Sequence, residues 1–297
     1  MSRGRATAVG FGAVLLWAAM ALLTVAVGGL PPFQLTALCF AIGGGIGLAW
    51  IAAGGRRGLA ALRVVPPAAW TVGIGGLFGY HLCYFTALAL APPAQASLIA
   101  YLWPLLIVLL SGLLPGERLR PAHVLGALVA FAGAALVVAG PGTRFEAAHL
   151  PGYLAAAGCA LIWSGYSVLS RRLGAVPTES VAVSCLATAA LSLVAHLATE
   201  TTVWPAGPLA WGALLALGLG PVGLAFYLWD VGCKQGDIQL LGTASYAAPL
   251  LSTLLLVAAG YAEPTPALLA AALLIAGGAL VAARAGRAGV TRPARAR

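Results

Sequence analysis

The most regular feature of this chain is a series of long apolar runs separated by short charged segments. Residues 6–55 contain no charged side chain, and neither do residues 64–116. A helix needs about 20 apolar residues to cross a bilayer, so each run is long enough for two helices and too short for three. Turn-forming sequences divide both runs near the middle, GGLPPF at 28–33 and APPAQA at 91–96. This part of the chain therefore predicts four membrane spans.

Six further apolar runs each have the length of one span. They cover residues 121–143, 147–170, 180–199, 201–229, 238–262 and 264–283. The sequence has none of the alternating ten-residue segments that are typical of a membrane β-barrel. The pattern predicts an all-α membrane protein with ten transmembrane helices and short connections.

Composition supports a lipid environment. Hydrophobic residues make up 61% of the chain and charged residues only 8%, whereas a soluble globular domain carries about 25% charged residues. The five cysteines lie in or beside predicted spans and form no CxxC pair. We interpret them as small packing residues, and we predict no metal site and no cofactor.

The basic residues predict the orientation of the chain in the membrane. If the N-terminus, with Arg3 and Arg5, is cytoplasmic, ten crossings place all of the 16 Lys and Arg residues except Arg144 on the cytoplasmic side. Both termini are then cytoplasmic, and residues 286–297 form a basic cytoplasmic tail. Because the arginines lie in scattered loops, we expect the lipid bilayer as a partner and no nucleic acid.

A second pattern is an internal repeat. The matched positions are Trp17 with Trp163, Pro31 with Pro177, and Tyr101-x-x-Pro104 with Tyr246-x-x-Pro249. We predict one five-helix repeat at residues 1–143 and another at 147–285. Because five is odd, the second repeat begins on the opposite side of the membrane and is inverted. Inverted repeats underlie alternating access in transporters, so the architecture predicts a transporter.

Polar aromatic side chains lie deep within several predicted spans. Tyr80, His81 and Tyr84 fall near the middle of the third span, where a hydroxyl facing lipid is left unsatisfied at a cost of about 1–3 kcal/mol. Intramembrane polar residues usually mark a pathway. We predict a substrate cavity lined by Trp17, Tyr80, His81, Tyr84, Ser97, Tyr101, Trp103, Trp163, Tyr166 and Tyr246. The alternative is that these side chains only join helices by interhelical hydrogen bonds.

Other aromatic and acidic residues lie near predicted span ends. We expect an interfacial belt of Trp50, Trp70, Trp204, Trp211, Tyr227 and Trp229. The carboxylates near span ends are Glu200, Asp230, Asp237 and Glu263, and Glu117 lies in an arginine-flanked loop. Proton-coupled transport generally uses an intramembrane carboxylate. Their placement therefore favours facilitative transport, and one histidine, His81, is weak evidence for coupling.

Four residues are predicted helix hinges. Pro104 and Pro249 each remove a backbone hydrogen bond within a span, and Gly76 and Gly79 loosen the third span. Glycines such as Gly44 and Gly278 allow close packing within a monomer and equally allow a homodimer, so the sequence leaves the oligomeric state open.

Two segments resemble a known family. They are PGERLRPAHVLGALVAFAGAALVVAG at 115–140 and the weaker copy YAEPTPALLAAALLIAGGALVA at 261–282, which resemble the end of the EamA repeat. Two such repeats in ten helices are similar to the drug/metabolite transporter superfamily. Within it, YHLCYF and YLWP, with Trp17 and Trp163, resemble the aromatic amino-acid exporters of bacterial inner membranes.

The resemblance implies a multi-pass inner-membrane protein that exports aromatic amino acids (Phe, Tyr, Trp) and similar small solutes by alternating access. The alternative within transport is an exporter of other small neutral metabolites or drugs, such as small amino acids or nucleosides. An enzyme is not expected, because the four histidines are scattered and no carboxylate pair accompanies them. A channel is not expected either, because no ring of charged residues is apparent.

Overall fold

The structure is a computed structural model that describes residues 1–139 and 143–290, except for the side chains of residues 56–57 and 286–290. Within this part, ten helical segments are long and apolar enough to cross a membrane, and we number them spans 1 to 10. They are Arg3–Val27, Pro32–Ala53, Pro67–Leu90, Pro93–Ser111, Pro121–Val138, Ala147–Arg172, Ser180–Thr199, Gly207–Gln235, Ile238–Ala258 and Pro266–Ala285. The described residues contain no strand. The prediction of an all-helical protein with ten spans is confirmed.

Prolines define where several spans begin. Spans 2, 3, 4, 5 and 10 start at Pro32, Pro67, Pro93, Pro121 and Pro266. Proline suits the first turn of a helix because its fixed φ is already helical and its missing N–H has no partner there in any case. A short helix, Gly55–Arg63, connects spans 2 and 3.

Four spans are interrupted. Span 1 consists of Arg3–Ala18 and Met20–Val27, span 4 of Pro93–Ala100 and Trp103–Ser111, and span 9 of Ile238–Ala244 and Ala247–Ala258. Span 8 contains a π-helical segment, Gly220–Leu224, between Gly207–Leu219 and Ala225–Gln235. The breaks in spans 4 and 9 fall within the matched Tyr-x-x-Pro motifs, where proline removes the next N–H donor of the helix.

Contacts between distant residues identify the two ends of the bundle. At one end, Arg3 pairs with Glu117 at 3.2 Å and with Asp237 at 3.5 Å, and Arg171 pairs with Glu117. We call this the basic end. At the opposite end, the Glu200 carboxylate accepts the Phe33 N–H at 2.9 Å, which caps the start of span 2.

Facing glycines bring pairs of spans into close contact. Spans 1 and 8 meet at Gly10 and Gly232, and spans 5 and 10 meet at Gly126 and Gly278. A Cβ at any of these positions would overlap the partner backbone. Spans 5 and 10 contact each other more extensively than either contacts any other span.

Several predicted boundaries differ from the structure by a few residues, and two of these differences involve charged segments. The eighth span, predicted at residues 201–229, runs from Gly207 to Gln235. It extends past Asp230 and Lys234 because these two side chains pair with each other inside the protein. The last helix, Pro266–Val290, includes the first residues of the predicted tail, and residues 291–297 lie outside the described residues.

Candidate substrate site

Four tryptophans from four spans meet in the middle of the bundle. They are Trp17 of span 1, Trp103 of span 4, Trp163 of span 6 and Trp229 of span 8, and we call them the tryptophan cluster. Every pair of rings is in contact, with centroids between 5.0 and 6.4 Å apart. Most of these contacts are edge-to-face, a favoured geometry for aromatic rings. The exposed fractions of Trp103, Trp163 and Trp229 are 6%, 4% and 1%.

Helix interruptions position this cluster. Trp17 lies two residues before the break in span 1, and its Nε1 donates to the carbonyl of Pro221 in the π-helical segment at 3.0 Å. Trp103 begins the second half of span 4. Trp229 Nε1 donates to Ser167 Oγ at 3.1 Å. The interruptions thus supply both the backbone acceptor and the turn that aims these rings inward.

Two donors of the cluster stay free. The indole N–H groups of Trp103 and Trp163 have no hydrogen-bond acceptor among the described residues, and neither nitrogen is fully buried. A buried indole N–H usually finds a partner. These two groups are therefore available to an acceptor that enters the site.

A row of polar aromatic residues on span 3 lies next to the cluster. Tyr80 is 5.3 Å from Trp163 between ring centroids, and it stacks with Tyr84 at 6.0 Å. His81 faces Phe40 edge-on at 5.1 Å. Its Nδ1 lies 2.7 Å from the Leu77 carbonyl oxygen. Because a carbonyl only accepts, Nδ1 carries the proton of the neutral ring and Nε2 is an acceptor.

Span 4 contributes the facing polar residues. Tyr84 interacts with the Ser97 side chain and lies near Tyr101. Ser97 and Tyr101 are half-buried, as are Tyr80, His81 and Tyr84. Tyr101 stands in the break between the two halves of span 4, whereas Ser97 lies one turn earlier. Spans 3 and 4 thus place hydroxyl and imidazole groups beside the tryptophan cluster.

Tyr166 and Tyr246 occupy different surroundings from the other candidates. Tyr166 contacts Trp163 at 5.2 Å but is 6% exposed and packs on Gly76. Tyr246 is 0% exposed and lies in a separate core with Phe131, 5.8 Å away. Its hydroxyl accepts the N–H of Leu105. These contacts are those of residues that join helices.

Trp229 and Tyr227 do not belong to the predicted interfacial belt. Both were expected near a span end, yet their exposed fractions are 1% and 6%. Tyr227 donates to the Gly43 carbonyl at 2.9 Å. In the sequence, the i, i+4 spacing of Asp230 and Lys234 could have indicated that span 8 continues, because an internal ion pair lets a span extend past its charged residues.

Asp230 lies within span 8, five residues before its last residue, Gln235. It is 3% exposed, accepts from Lys234 Nζ at 2.8 Å, and accepts from Thr178 Oγ1 at 2.7 Å. The negative charge is therefore matched by a positive one. Among the residues described, no three His, Cys, Asp or Glu side chains form a group that could hold a metal ion.

The four predicted hinge residues fall into two kinds. Pro104 and Pro249 follow real interruptions of spans 4 and 9. Span 3, in contrast, is one continuous helix through Gly76 and Gly79. A Cβ on Gly76 would overlap the Tyr166 ring, and one on Gly79 would contact Ile162 at 3.5 Å. Close packing therefore accounts for Gly76, whereas the contact at Gly79 is an ordinary van der Waals distance that a Cβ could occupy.

Comparison with known proteins gives consistent results. The EamA-like transporter family matches residues 5–139 and 150–284. A protein of Ancylobacter novellus named "Aromatic amino acid exporter YddG" is 60% identical over 95% of this chain and 98% of its own length. Its Escherichia coli namesake is 26% identical over 97% of this chain and 100% of its own length.

A solved crystal structure is similar with a TM-score of 0.90 at 59% identity, covering 96% of this chain and 100% of that chain. Ten apolar spans and this similarity to bacterial exporters describe a multi-pass protein of the bacterial inner membrane. The chain belongs to the EamA-like transporter family.

Proposed function

We propose that this protein exports aromatic amino acids and similar small solutes by alternating access, without coupling to an ion gradient. The observation that carries the proposal is the row of half-buried Tyr80, His81 and Tyr84 against Trp163 in the middle of the bundle. The name of the 60% identical relative supports the same substrate class.

The aromatic part of a substrate has suitable neighbours here. Edge-to-face and offset contacts between rings contribute about 0.5–1.5 kcal/mol each beyond area burial. A phenyl, phenol or indole ring next to Tyr80 and Trp163 makes such contacts on two sides. An aliphatic side chain of the same length loses them, which is the physical basis of a preference for aromatic substrates.

The amino-acid head group needs both donors and acceptors. The free indole N–H groups of Trp103 and Trp163 serve as donors for a carboxylate. Nε2 of His81 is an acceptor for an ammonium group, and the hydroxyls of Ser97 and Tyr101 serve as either. The site contains no unpaired charge, so we expect it to favour a zwitterion of zero net charge over a charged amino acid.

Alternating access follows from the proposed inverted repeats. Glu117 pairs with Arg3 and Arg171 and thereby holds the basic end closed. Arg171 also donates to the Gly236 carbonyl at 2.8 Å. These bonds join segments from both repeats. We infer that this conformation is closed at the basic end, and that the substrate leaves past the half-buried residues of spans 3 and 4.

Facilitative transport follows from charge pairing. Asp230 is the buried carboxylate of span 8, and Lys234 neutralises it within the same helix. An intramembrane group that drives transport must exchange its cation during the cycle. A carboxylate already bound to a lysine and a threonine is poorly suited to that role.

The test is tryptophan flux into proteoliposomes with and without an imposed pH gradient. We expect saturable flux in both conditions, and competition by phenylalanine and tyrosine. Trp163→Ala and Tyr101→Ala should lower the flux at least tenfold, whereas Trp204→Ala, which changes an exposed tryptophan, should not. Flux of nucleosides or small amino acids with no flux of tryptophan would support the alternative, and flux that requires a pH gradient would exclude a facilitative carrier.

A further inference from the structure

A second cavity lies at the basic end of the bundle. Its volume is about 920 Å³, and it is bounded by spans 1, 5, 9 and 10 and by the loop between spans 4 and 5. None of the tryptophan cluster residues lines it. Gly4, Ala8 and Arg118 in its wall are exposed, so the cavity reaches the protein surface.

The cavity wall carries an excess of positive charge. Arg3, Arg118 and Arg120 contribute three guanidinium groups, and Glu117 and Asp237 contribute two carboxylates. Arg3 binds both carboxylates, and Arg120 donates to the Ala285 carbonyl at 2.8 Å. The Arg118 guanidinium has no hydrogen bond or ion pair with any described residue. One cation is therefore available to an anionic ligand.

Two buried donors in the same wall lack acceptors. His123 and Gln239 are each 3% exposed, and the Nε2 atom of each has no hydrogen-bond partner within the described part of the chain. Nδ1 of His123 accepts the Arg120 N–H at 3.3 Å, so the neutral ring carries its proton on Nε2. Leaving a buried donor unpaired is unfavourable. Both unpaired atoms are donors, so a ligand group that reaches them must be an acceptor, such as an oxygen of an anion.

The rest of the wall is apolar. Phe11, Ala8 and Leu240 line the cavity together with Leu241, Ala244 and Ala283. A free anion in water would gain nothing from these side chains, whereas an acyl chain would bury apolar surface on them. A ligand that matches the whole cavity is an amphiphile with an anionic head.

We propose that this cavity binds an anionic phospholipid of the leaflet at the basic end. The phosphate faces Arg118, and an acyl chain lies along Phe11 and Leu240. The charge asymmetry of the chain predicts that this end faces the cytoplasm, where anionic lipid head groups attract basic pockets between helices. The site is separate from the proposed substrate site, and the inference does not depend on which solute is transported.

The experiment is lipid binding to the purified full-length protein in neutral detergent, measured by native mass spectrometry. Phosphatidylglycerol and phosphatidylcholine with identical acyl chains are compared, and glycerol 3-phosphate serves as the head group alone. We expect preferential binding of phosphatidylglycerol and no binding of glycerol 3-phosphate. Equal binding of the two lipids would overturn the proposal, and binding of glycerol 3-phosphate would identify a site for soluble anions.

Variants assign the binding to this cavity. Arg118→Gln should lower the affinity for phosphatidylglycerol about fivefold, because one interfacial arginine contributes about 1 kcal/mol. Arg63→Gln, which removes an exposed arginine outside the cavity, is the matched control. Gln239→Leu should lower the affinity while leaving the lipid-free protein at least as resistant to heat. Equal losses in Arg118→Gln and Arg63→Gln would show that the lipid responds to surface charge in general, which contradicts a built site.

Discussion

The hydroxyl of Tyr246 in span 9 accepts a hydrogen bond from the backbone N–H of Leu105 in span 4, at 3.1 Å. Leu105 follows Pro104, just after the helix is interrupted at Tyr101 and Leu102. Its N–H would have no intrahelical partner at the start of a new helical segment. A side chain at the break in span 9 therefore supplies the acceptor that a backbone N–H just after the break in span 4 lacks within its own helix.

Removal of this bond should destabilise the protein without disturbing the aromatic site. We expect Tyr246→Phe to lower the free energy of unfolding by about 1 kcal/mol, because a partly buried donor loses its acceptor. Thermal unfolding in detergent measures the change. Tyr261→Phe is the control, since Tyr261 is exposed. Equal stability of the two variants would mean that water replaces the tyrosine hydroxyl at Leu105.

The ion pairs of Glu117 should hold the basic end closed. Its side chain is 8% exposed and lies between Arg3 and Arg171. Glu117→Gln removes the shared negative charge, so we expect the basic end to open more often. Cys233, which is fully buried next to this network, should then react several-fold faster with a thiol reagent. Mass spectrometry of the labelled peptide gives the rate.

Glu263→Gln is the matched control for this experiment, because Glu263 is an exposed carboxylate outside the network. Unchanged labelling of Cys233 in Glu117→Gln would show that apolar packing, and not the ion pairs, closes the basic end. Faster labelling in both variants would point to a general loss of stability.

Substitutions of two neighbouring glycines, Gly75 and Gly76, distinguish a packing role from a hinge role in span 3. A Cβ at position 76 would overlap the Tyr166 ring, whereas a Cβ at position 75 would meet open space. We expect Gly76→Ala to lower thermal stability and Gly75→Ala to raise it slightly, since alanine is favoured over glycine in a helix by about 1 kcal/mol. If hinge bending of span 3 limits transport, both variants should slow the flux to a similar extent.

We expect the stability effect of changing either residue of the buried ion pair in span 8 to depend on the other residue. Asp230→Asn leaves Lys234 without its counter-charge in the protein interior, and we expect a loss of about 3–5 kcal/mol in stability. The double variant Asp230→Asn with Lys234→Met should recover most of the lost stability, because replacing both partners of a buried ion pair is often nearly neutral. Thermal unfolding of the three proteins measures the effect.

The double variant also tests energy coupling. If transport is facilitative, proteoliposomes containing it should retain tryptophan flux. Loss of flux in a double variant that is as stable as the unchanged protein would assign Asp230 a role in the transport cycle.

Much of the candidate site was predictable from residue type and depth. Trp17, Trp103 and Trp163 were expected in the cavity because each lies within a predicted span and not at its end. Trp229 was missed because Asp230 follows it directly, and a charge usually marks the end of a span. Only the ion pair with Lys234 shows that the helix continues.

The sequence by itself determined the number of spans and the two-repeat organisation. Lipid offers no hydrogen bonds, so each apolar run of sufficient length must form a helix, whatever its neighbours are. The tertiary structure alone decided which polar aromatic residues meet at one site. Tyr101 and Tyr246 occupy matched motifs, yet their surroundings differ. Tyr101 is half-buried beside Tyr84, whereas Tyr246 is buried and its hydroxyl accepts the Leu105 N–H. That difference depends on contacts between helices distant in the chain, which local sequence does not specify.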